Sequence, residues 1–170
     1  MKVVSKQSNS RMCIICGMEN PLGVQAQFYN MEDGSVMTRF RFRKEHQSYP
    51  NRVHGGMIAA MLDELGLRAC WADAGGEESW GVTMSLQVKY RKPVPYDTDL
   101  IGIGRVNSVT PRFLKMEAEL FDGSGVLLAN ADMRYIRMEM QQIAGDVDLH
   151  EATGYLVPDD VTEIAFCEPV

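Results

Sequence analysis

The residues best suited to chemistry lie at the start of one long apolar segment. His54-Gly55-Gly56 is followed by six apolar or small residues and then by Asp63. Two glycines let a substrate approach the backbone closely, because no Cβ stands in the way. If a helix begins here, its first N–H groups have no intrahelical acceptor and carry a partial positive charge. Such an N–H can polarise a carbonyl and stabilise the oxyanion that forms when the carbonyl is attacked.

Asp63 is expected two turns further along that helix. Met57–Ala74 has few helix breakers and is followed by a Gly-Gly stop, so the sequence predicts a helix there. A helix turns roughly 100° per residue, so Glu64 and Arg68, four residues apart, lie on the same face. They are expected to form an ion pair there, exposed to solvent. Asp63 points instead toward small, uncharged neighbours, where lost hydration would raise its pKa. The alternative interpretation is a partly exposed helix residue bonded to nearby backbone.

Two strand-like segments precede the predicted helix in the sequence, and four follow it. They are Val24–Asn30, Val36–Arg43, Gly81–Tyr90, Asp99–Val109, Phe113–Phe121 and Val126–Arg137. Late strands joined by short turns predict an antiparallel sheet with one helix across it, an α+β fold. Apolar alternation places Val82, Met84 and Tyr90 on one face, as expected for a sheet covered on one side.

Three zones of the chain differ in composition, and the net charge excludes one class of function. Residues 1–23 are expected to be an irregular N-terminal segment, residues 24–138 the folded domain, and residues 139–170 an acidic extension. With 170 residues, 45% of them apolar, one globular domain is expected. The net charge of −6 argues against a basic nucleic-acid surface.

The chain is expected to be cytoplasmic. No segment reaches the roughly 18 apolar residues of a membrane span, and the polar residues 1–10 do not resemble a secretory signal. In a reducing compartment the cysteines would be thiols. Cys13 and Cys16 have the spacing of half a zinc site, but no second Cys-X-X-Cys or His pair accompanies them. We therefore expect no metal and no cofactor.

The motif resembles that of the hotdog-fold acyl-CoA thioesterases of the phenylacetate-pathway (PaaI-like) type. Their pattern is His-Gly-Gly, six residues, then Asp or Glu, here HGGMIAAMLD at 54–63. The segments CIICGMENPLG at 13–23 and VTMSLQVKYRKPV at 82–94 are also similar, and the likeness extends over residues 13–137. The resemblance implies a sheet wrapped around one long helix. It also implies a homodimer with active sites between subunits, in many members paired into a tetramer.

The resemblance implies hydrolysis of an acyl-CoA or aryl-CoA thioester to the free acid and CoA. The Gly55 N–H would polarise the carbonyl, and Asp63 of the other subunit would attack it or activate water. Thr83 matches a position that orients the nucleophile or water. His54 either contacts substrate or holds the loop, and the residues leave both alternatives open.

A family Asn or Gln just before the His-Gly-Gly motif assists catalysis. Gln47 and Asn51 are the candidates, of which we take Asn51, while Ser48 occupies the position that simple counting selects.

The family binds CoA along the turn after the strand that follows the helix. By position, the resemblance assigns CoA contacts to Tyr90, Arg91, Lys92, Pro93 and Arg112. The cations among them suit phosphate groups, although solvated loop charges are the alternative.

Two other functions remain open. A hydratase or dehydratase on this fold would pair a His with a carboxylate for proton transfer at carbon, whereas His54 adjoins the glycines in the thioesterase pattern. A non-catalytic hotdog protein would bind an acyl-CoA or aromatic ligand as a sensor, because fold alone does not decide function. Release of thiol from a CoA ester distinguishes these alternatives.

Overall fold

One long helix lies against a seven-stranded antiparallel sheet in the computed structural model, which describes residues 1–73, 79–148 and 154–166. The strands are β1 Val3–Lys6, β2 Tyr29–Met31, β3 Val36–Phe40, β4 Gly81–Tyr90, β5 Leu100–Val109, β6 Phe113–Asp122 and β7 Leu127–Arg137. The helices are α1 Gly55–Asp73 and α2 Met140–Ala144, with a 3₁₀ turn at Lys44–His46. The sheet order is β1-β2-β3-β5-β6-β7-β4. The predicted α+β fold is confirmed.

Small residues let α1 lie directly on the sheet. A Cβ on Gly66 would meet the Met133 Sδ at 1.9 Å, and one on Gly104 would meet the Leu65 carbonyl oxygen at 2.5 Å. At Gly104 the obstacle is the helix backbone, so a side chain there would require the helix to move away from the strands, whereas at Gly66 the Met133 side chain would have to move. The helix begins at Gly55, two residues earlier than predicted, so both glycines belong to its first turn. The predicted Gly75-Gly76 stop lies outside the described residues.

The four late strands agree with their predicted bounds to within one residue, whereas the first two do not. Val24–Asn30 was expected to be a strand, but only its last two residues pair with a neighbour, in β2. The reason is that the N–H groups of Val24 and Ala26 donate to the carbonyls of Ile14 and Ile15 in the N-terminal segment. That segment is less irregular than expected, because β1 pairs with β2.

A β-bulge in β4 changes which side chains face the helix. Thr83 pairs with Tyr135 and Ser85 with Arg134, so the strand carries one extra residue between the two pairs. The bulge puts Thr83 on the helix side of the sheet, opposite the buried Tyr135. Val82 and Met84, predicted to share a face with Tyr90, are 41% and 50% exposed. Their predicted orientation is wrong because a bulge interrupts the two-residue period.

The last described residues of the C-terminal extension, 164–166, pack on the side of the sheet away from α1. Ile164 is buried there, and the rings of Phe166 and Phe121 lie 4.9 Å apart. The N-terminal amine donates to the Ile164 carbonyl at 2.7 Å, and Asp159 pairs with Lys6. Among the described residues, no helix is long and apolar enough to cross a membrane.

Candidate active site

Asp63 is half-buried on α1 and bonded to the adjacent strand. The Thr83 hydroxyl lies 2.9 and 3.0 Å from its two carboxylate oxygens, so one donated proton is shared between them. The hydroxyl of the buried Tyr135 donates to the Asp63 backbone carbonyl at 2.6 Å. The bulge that turns Thr83 inward therefore positions the carboxylate, while Tyr135 fixes the helix backbone behind it.

The electrostatic setting of Asp63 favours proton uptake. Burial raises the pKa of this carboxyl above its ordinary value, and the charge of Glu64 acts in the same direction. The hydrogen bond from Thr83 partly opposes the rise. Among the described residues, no Lys or Arg forms an ion pair with Asp63. A carboxylate in this state can act as a general base or as a nucleophile.

The start of α1 presents a backbone donor. His54 Nδ1 accepts the N–H of Gly56 at 2.9 Å, so His54 holds the loop at the helix start. The Tyr90 hydroxyl donates to the Gly55 carbonyl at 2.9 Å. Within the described part of the chain, no hydrogen bond engages the Gly55 N–H, as is usual for the first residue of a helix.

A cavity of about 550 Å³ opens beside this helix start. It is lined by Ser48, Tyr49, Arg52, Val53, Gly55, Ile58, Tyr90, Arg91, Lys92, Pro93 and Val94. Among the described lining residues three are cationic and none is acidic, although the whole chain is acidic. Cations with apolar walls suit a ligand that combines phosphate groups with an apolar part.

The cavity brings together Gly55 and four of the residues that the resemblance assigned to CoA. Sequence reasoning missed Tyr49 and Arg52, although the cation two residues before His54 was a usable signal. Arg91 is already engaged, since its Nε donates to Asn130 at 2.8 Å. Ser48, the residue that counting selects, lies in the wall.

Asn51 and Arg112 lie apart from that cavity. Asn51 adopts φ +63°, which Asn tolerates, and its side-chain oxygen accepts the Tyr96 hydroxyl at 3.3 Å. Arg112 stacks on the ring of Phe113 at 5.2 Å, at the turn before β6. This turn lies beside the Gly81 end of β4, whereas Tyr90 ends the strand, about 30 Å away at the rise of an extended chain.

Gly55 and Asp63 are also separated within one chain. They are eight residues apart on a single helix, which corresponds to about 12 Å along its axis. One thioester carbonyl cannot contact both, so a site that uses both groups needs a second copy of the helix.

Glu64 and Arg68 pair as predicted, with Arg68 Nε 2.9 Å from Glu64 Oε1. The predicted solvated face is wrong, because Arg68 is only 3% exposed. Its guanidinium lies 4.6 Å from the ring centroids of Phe28 and Trp71, and it donates to the Ser8 carbonyl at 2.6 Å. Ser8 of the N-terminal segment, together with Phe28, which follows that segment in the sequence, therefore covers this face of α1.

Residues 51–129 match the family model of the thioesterase superfamily, and this range contains the helix start, Asp63 and Thr83. Over these residues the chain is similar to the thioesterase superfamily, and it is similar to solved thioesterase superfamily proteins as well. The predicted hotdog fold is confirmed. A search of curated proteins gives no match.

Solved structures agree with the family match. A thioesterase superfamily protein is 27% identical, with a TM-score of 0.66, over 74% of this chain and 60% of that one. This chain therefore spans less than two thirds of that protein. A phenylacetic acid degradation-related protein from Ralstonia eutropha is 21% identical over 66% of this chain and 85% of that one, with a TM-score of 0.57. A hypothetical thioesterase protein from Streptococcus pneumoniae, solved with coenzyme A, is 18% identical with the same coverages and TM-score.

Proposed function

We propose that this protein hydrolyses an acyl-CoA or aryl-CoA thioester to the free acid and CoA. The proposal depends on the surroundings of the Asp63 carboxylate. Its carboxylate is bonded by Thr83, is unpaired with any cation of the described chain, and has a raised pKa. The family match supports thioester chemistry for such a carboxylate.

Asp63 acts at the thioester carbonyl in one of two ways. As a general base, it takes a proton from water, whose oxygen attacks the carbonyl carbon. As a nucleophile, it attacks the carbon itself, and water then cleaves the resulting anhydride. In both, the Gly55 N–H stabilises the oxyanion, and the C–S bond breaks to release CoA thiol, which recovers a proton.

The site is completed by a second copy of the chain. β4 is an edge strand, and its second side pairs with no strand of the described residues. A two-fold axis near the middle of β4 would run two copies of α1 antiparallel and bring Asp63 of one subunit toward Gly55 of the other. Such dimers would pair further into a tetramer.

The same symmetry accounts for the two distant groups of cations. The Gly81 end of β4 in one copy would lie beside the Tyr90 end of β4 in the other. Arg112 of one subunit would then lie near Lys92 of the other, across the interface. The phosphates of CoA would then lie on the cavity rim near Arg52, Arg91 and Lys92. Asn51 stays a candidate for orienting water, with its loop adjacent to the cavity.

Thiol release tests this proposal directly. The protein is incubated with straight-chain acyl-CoA and aryl-CoA esters, and free thiol is followed with a chromogenic disulfide, with ligand binding measured in parallel by calorimetry. We expect turnover of at least one ester. Binding of CoA esters without thiol release would overturn the proposal in favour of the sensor function. A dehydratase would pair its His with a carboxylate, whereas His54 Nδ1 accepts the Gly56 N–H and no carboxylate of the described residues bonds to His54.

A further inference from the structure

A second cluster of reactive side chains includes Glu64, on a different face of α1 from Asp63. The ligand atoms of Cys13, Cys16 and Glu64 all lie within 4.8 Å of one another. Cys13 Sγ is 3.9 Å from Glu64 Oε2. The three side chains also line a cavity of about 400 Å³, which provides a path from solvent. None of them takes part in the proposed hydrolysis.

The loop that carries the two cysteines is folded around the first sulfur. The N–H groups of Ile15 and Cys16 point at Cys13 Sγ, at 3.3 and 3.5 Å. Backbone donors aimed at sulfur favour the thiolate, which is the form that binds metals. The turn closes at Gly17, where a Cβ would lie 2.4 Å from the Cys13 carbonyl oxygen, so it requires glycine.

Neighbouring residues hold the three groups in place. Ser10 Oγ lies 3.2 Å from Cys16 Sγ, and Asn9 donates to the Cys16 carbonyl at 2.7 Å. Arg68 donates to Glu64 Oε1, which leaves Oε2 facing Cys13. Such outer hydrogen bonds are typical of metal sites, because they orient the ligands.

We propose that Cys13, Cys16 and Glu64 bind a zinc ion, with water in the fourth position on the cavity side. Zinc takes tetrahedral sulfur and carboxylate ligands, whose sulfur-to-oxygen edge is about 3.6 Å, close to the 3.9 Å of Cys13 and Glu64. Two thiolates, one carboxylate and the Arg68 guanidinium would leave the buried cluster electrically neutral around the divalent ion.

The sequence argument against a metal considered only a second Cys or His pair as further ligands. The third ligand is a carboxylate 51 residues from Cys13, and only the packing of the N-terminal segment on α1 brings it near. The ion would tie that segment to the helix at the residue next to Asp63.

Metal content and cobalt spectroscopy test the site in the full chain. The purified protein is stripped with a chelator under reducing conditions, loaded with Zn²⁺ or Co²⁺, dialysed and measured. We expect one metal ion per chain, and thiolate-to-cobalt charge-transfer absorption for the Co²⁺ form. Cys13→Ser should abolish the charge transfer of its sulfur and lower affinity at least tenfold. Cys70→Ala removes a buried thiol outside the cluster and should bind like the wild type.

A wild-type protein that retains no metal, or a Co²⁺ form without thiolate absorption, would overturn the proposal. The same holds if Cys13→Ser binds as tightly as Cys70→Ala. The cobalt spectrum of the unmodified chain needs no variant, so a folding defect in Cys13→Ser cannot conceal the answer. Thiol release from CoA esters has no part in these measurements, so the outcome is independent of the proposed hydrolysis.

Discussion

Asp63 and Glu64 are consecutive carboxylates on one helix, and their surroundings are opposite. Asp63 faces β4, where a threonine hydroxyl is its partner and burial raises its pKa. Glu64 faces the N-terminal segment, where it pairs with Arg68, itself buried between two aromatic rings. One residue of helix turns the side chain by about 100°, which is enough to place the two groups under different covering elements.

The difference shows how a fold assigns roles to identical chemical groups. A carboxylate that pairs with a buried cation compensates the charge of that cation, which would otherwise be left unpaired in the interior. A carboxylate that is desolvated without a cation remains reactive. The elements that cover each face of α1 therefore determine which acid can do chemistry.

Replacing Asp63 with Asn should separate activity from stability. We expect kcat for thiol release to fall by about 10²- to 10⁴-fold, the range of general-base catalysis, with ligand binding nearly unchanged. Because the pKa of Asp63 is raised in the folded protein, ionising this carboxyl costs more there than in the unfolded chain, and Asn removes that cost. Tm should stay equal or rise. Undiminished turnover would remove Asp63 from the mechanism.

Replacing Glu64 with Gln should act on the fold. Arg68 would remain buried without its carboxylate, at a cost of about 3–5 kcal/mol, measured as the free energy of unfolding in urea. Glu119→Gln is the matched control, because its pair with Arg105 is 28% and 33% exposed and such pairs contribute only about 1 kcal/mol or less. Similar losses in the two variants would contradict the structural role of Glu64.

Thr83→Val should shift the pH dependence of kcat. The hydrogen bond from Thr83 favours the ionised carboxylate, so its loss raises the pKa of Asp63 further. The base must be ionised to act, and the acid limb of the profile should therefore move to higher pH. Thr83→Ser keeps the hydroxyl and should keep the limb in place. An unmoved limb in Thr83→Val would separate Thr83 from the reaction.

Lys92→Ala should produce the smallest effect, on substrate binding. Unlike Arg68, Lys92 lies on an exposed cavity rim, where a cation contributes about 1 kcal/mol or less. We expect KM to rise a few-fold at low salt with kcat unchanged, and the difference to shrink at high salt. Lys89→Ala removes an equal charge from the other face of β4 and should leave KM unaltered. Equal KM values for the two variants would argue against CoA at this rim.

Features with strong periodicity or fixed spacing could be read from the sequence. The helix, the four late strands and the motif from His54 to Asp63 all depend on local patterns of apolar residues and turn residues. The Glu64–Arg68 pair was also predictable, since it depends only on helical spacing.

Features created by distant contacts could not be read in the same way. The burial of Arg68 depends on packing by residues about 60 positions earlier. The bulge in β4 breaks an alternation that appears continuous in the residue types, and the backbone of residues 24–26 pairs with a loop instead of a strand. Each of these features depends on a contact between separate segments of the chain, which a local pattern of residue types does not indicate.

Complementation between two inactive variants tests most directly whether Asp63 works with Gly55 of another subunit. Gly55→Pro removes the donor N–H at the first helical position, where proline is tolerated, and Gly55→Ala keeps that N–H with only ordinary contacts to Tyr90. Asp63→Asn and Gly55→Pro chains are co-expressed in equal amounts and assayed for thiol release. Random pairing should restore about a quarter of wild-type activity, because each mixed dimer regains one of its two sites. Activity no higher than that of either variant alone, in samples shown to contain mixed dimers, would contradict a site shared between subunits.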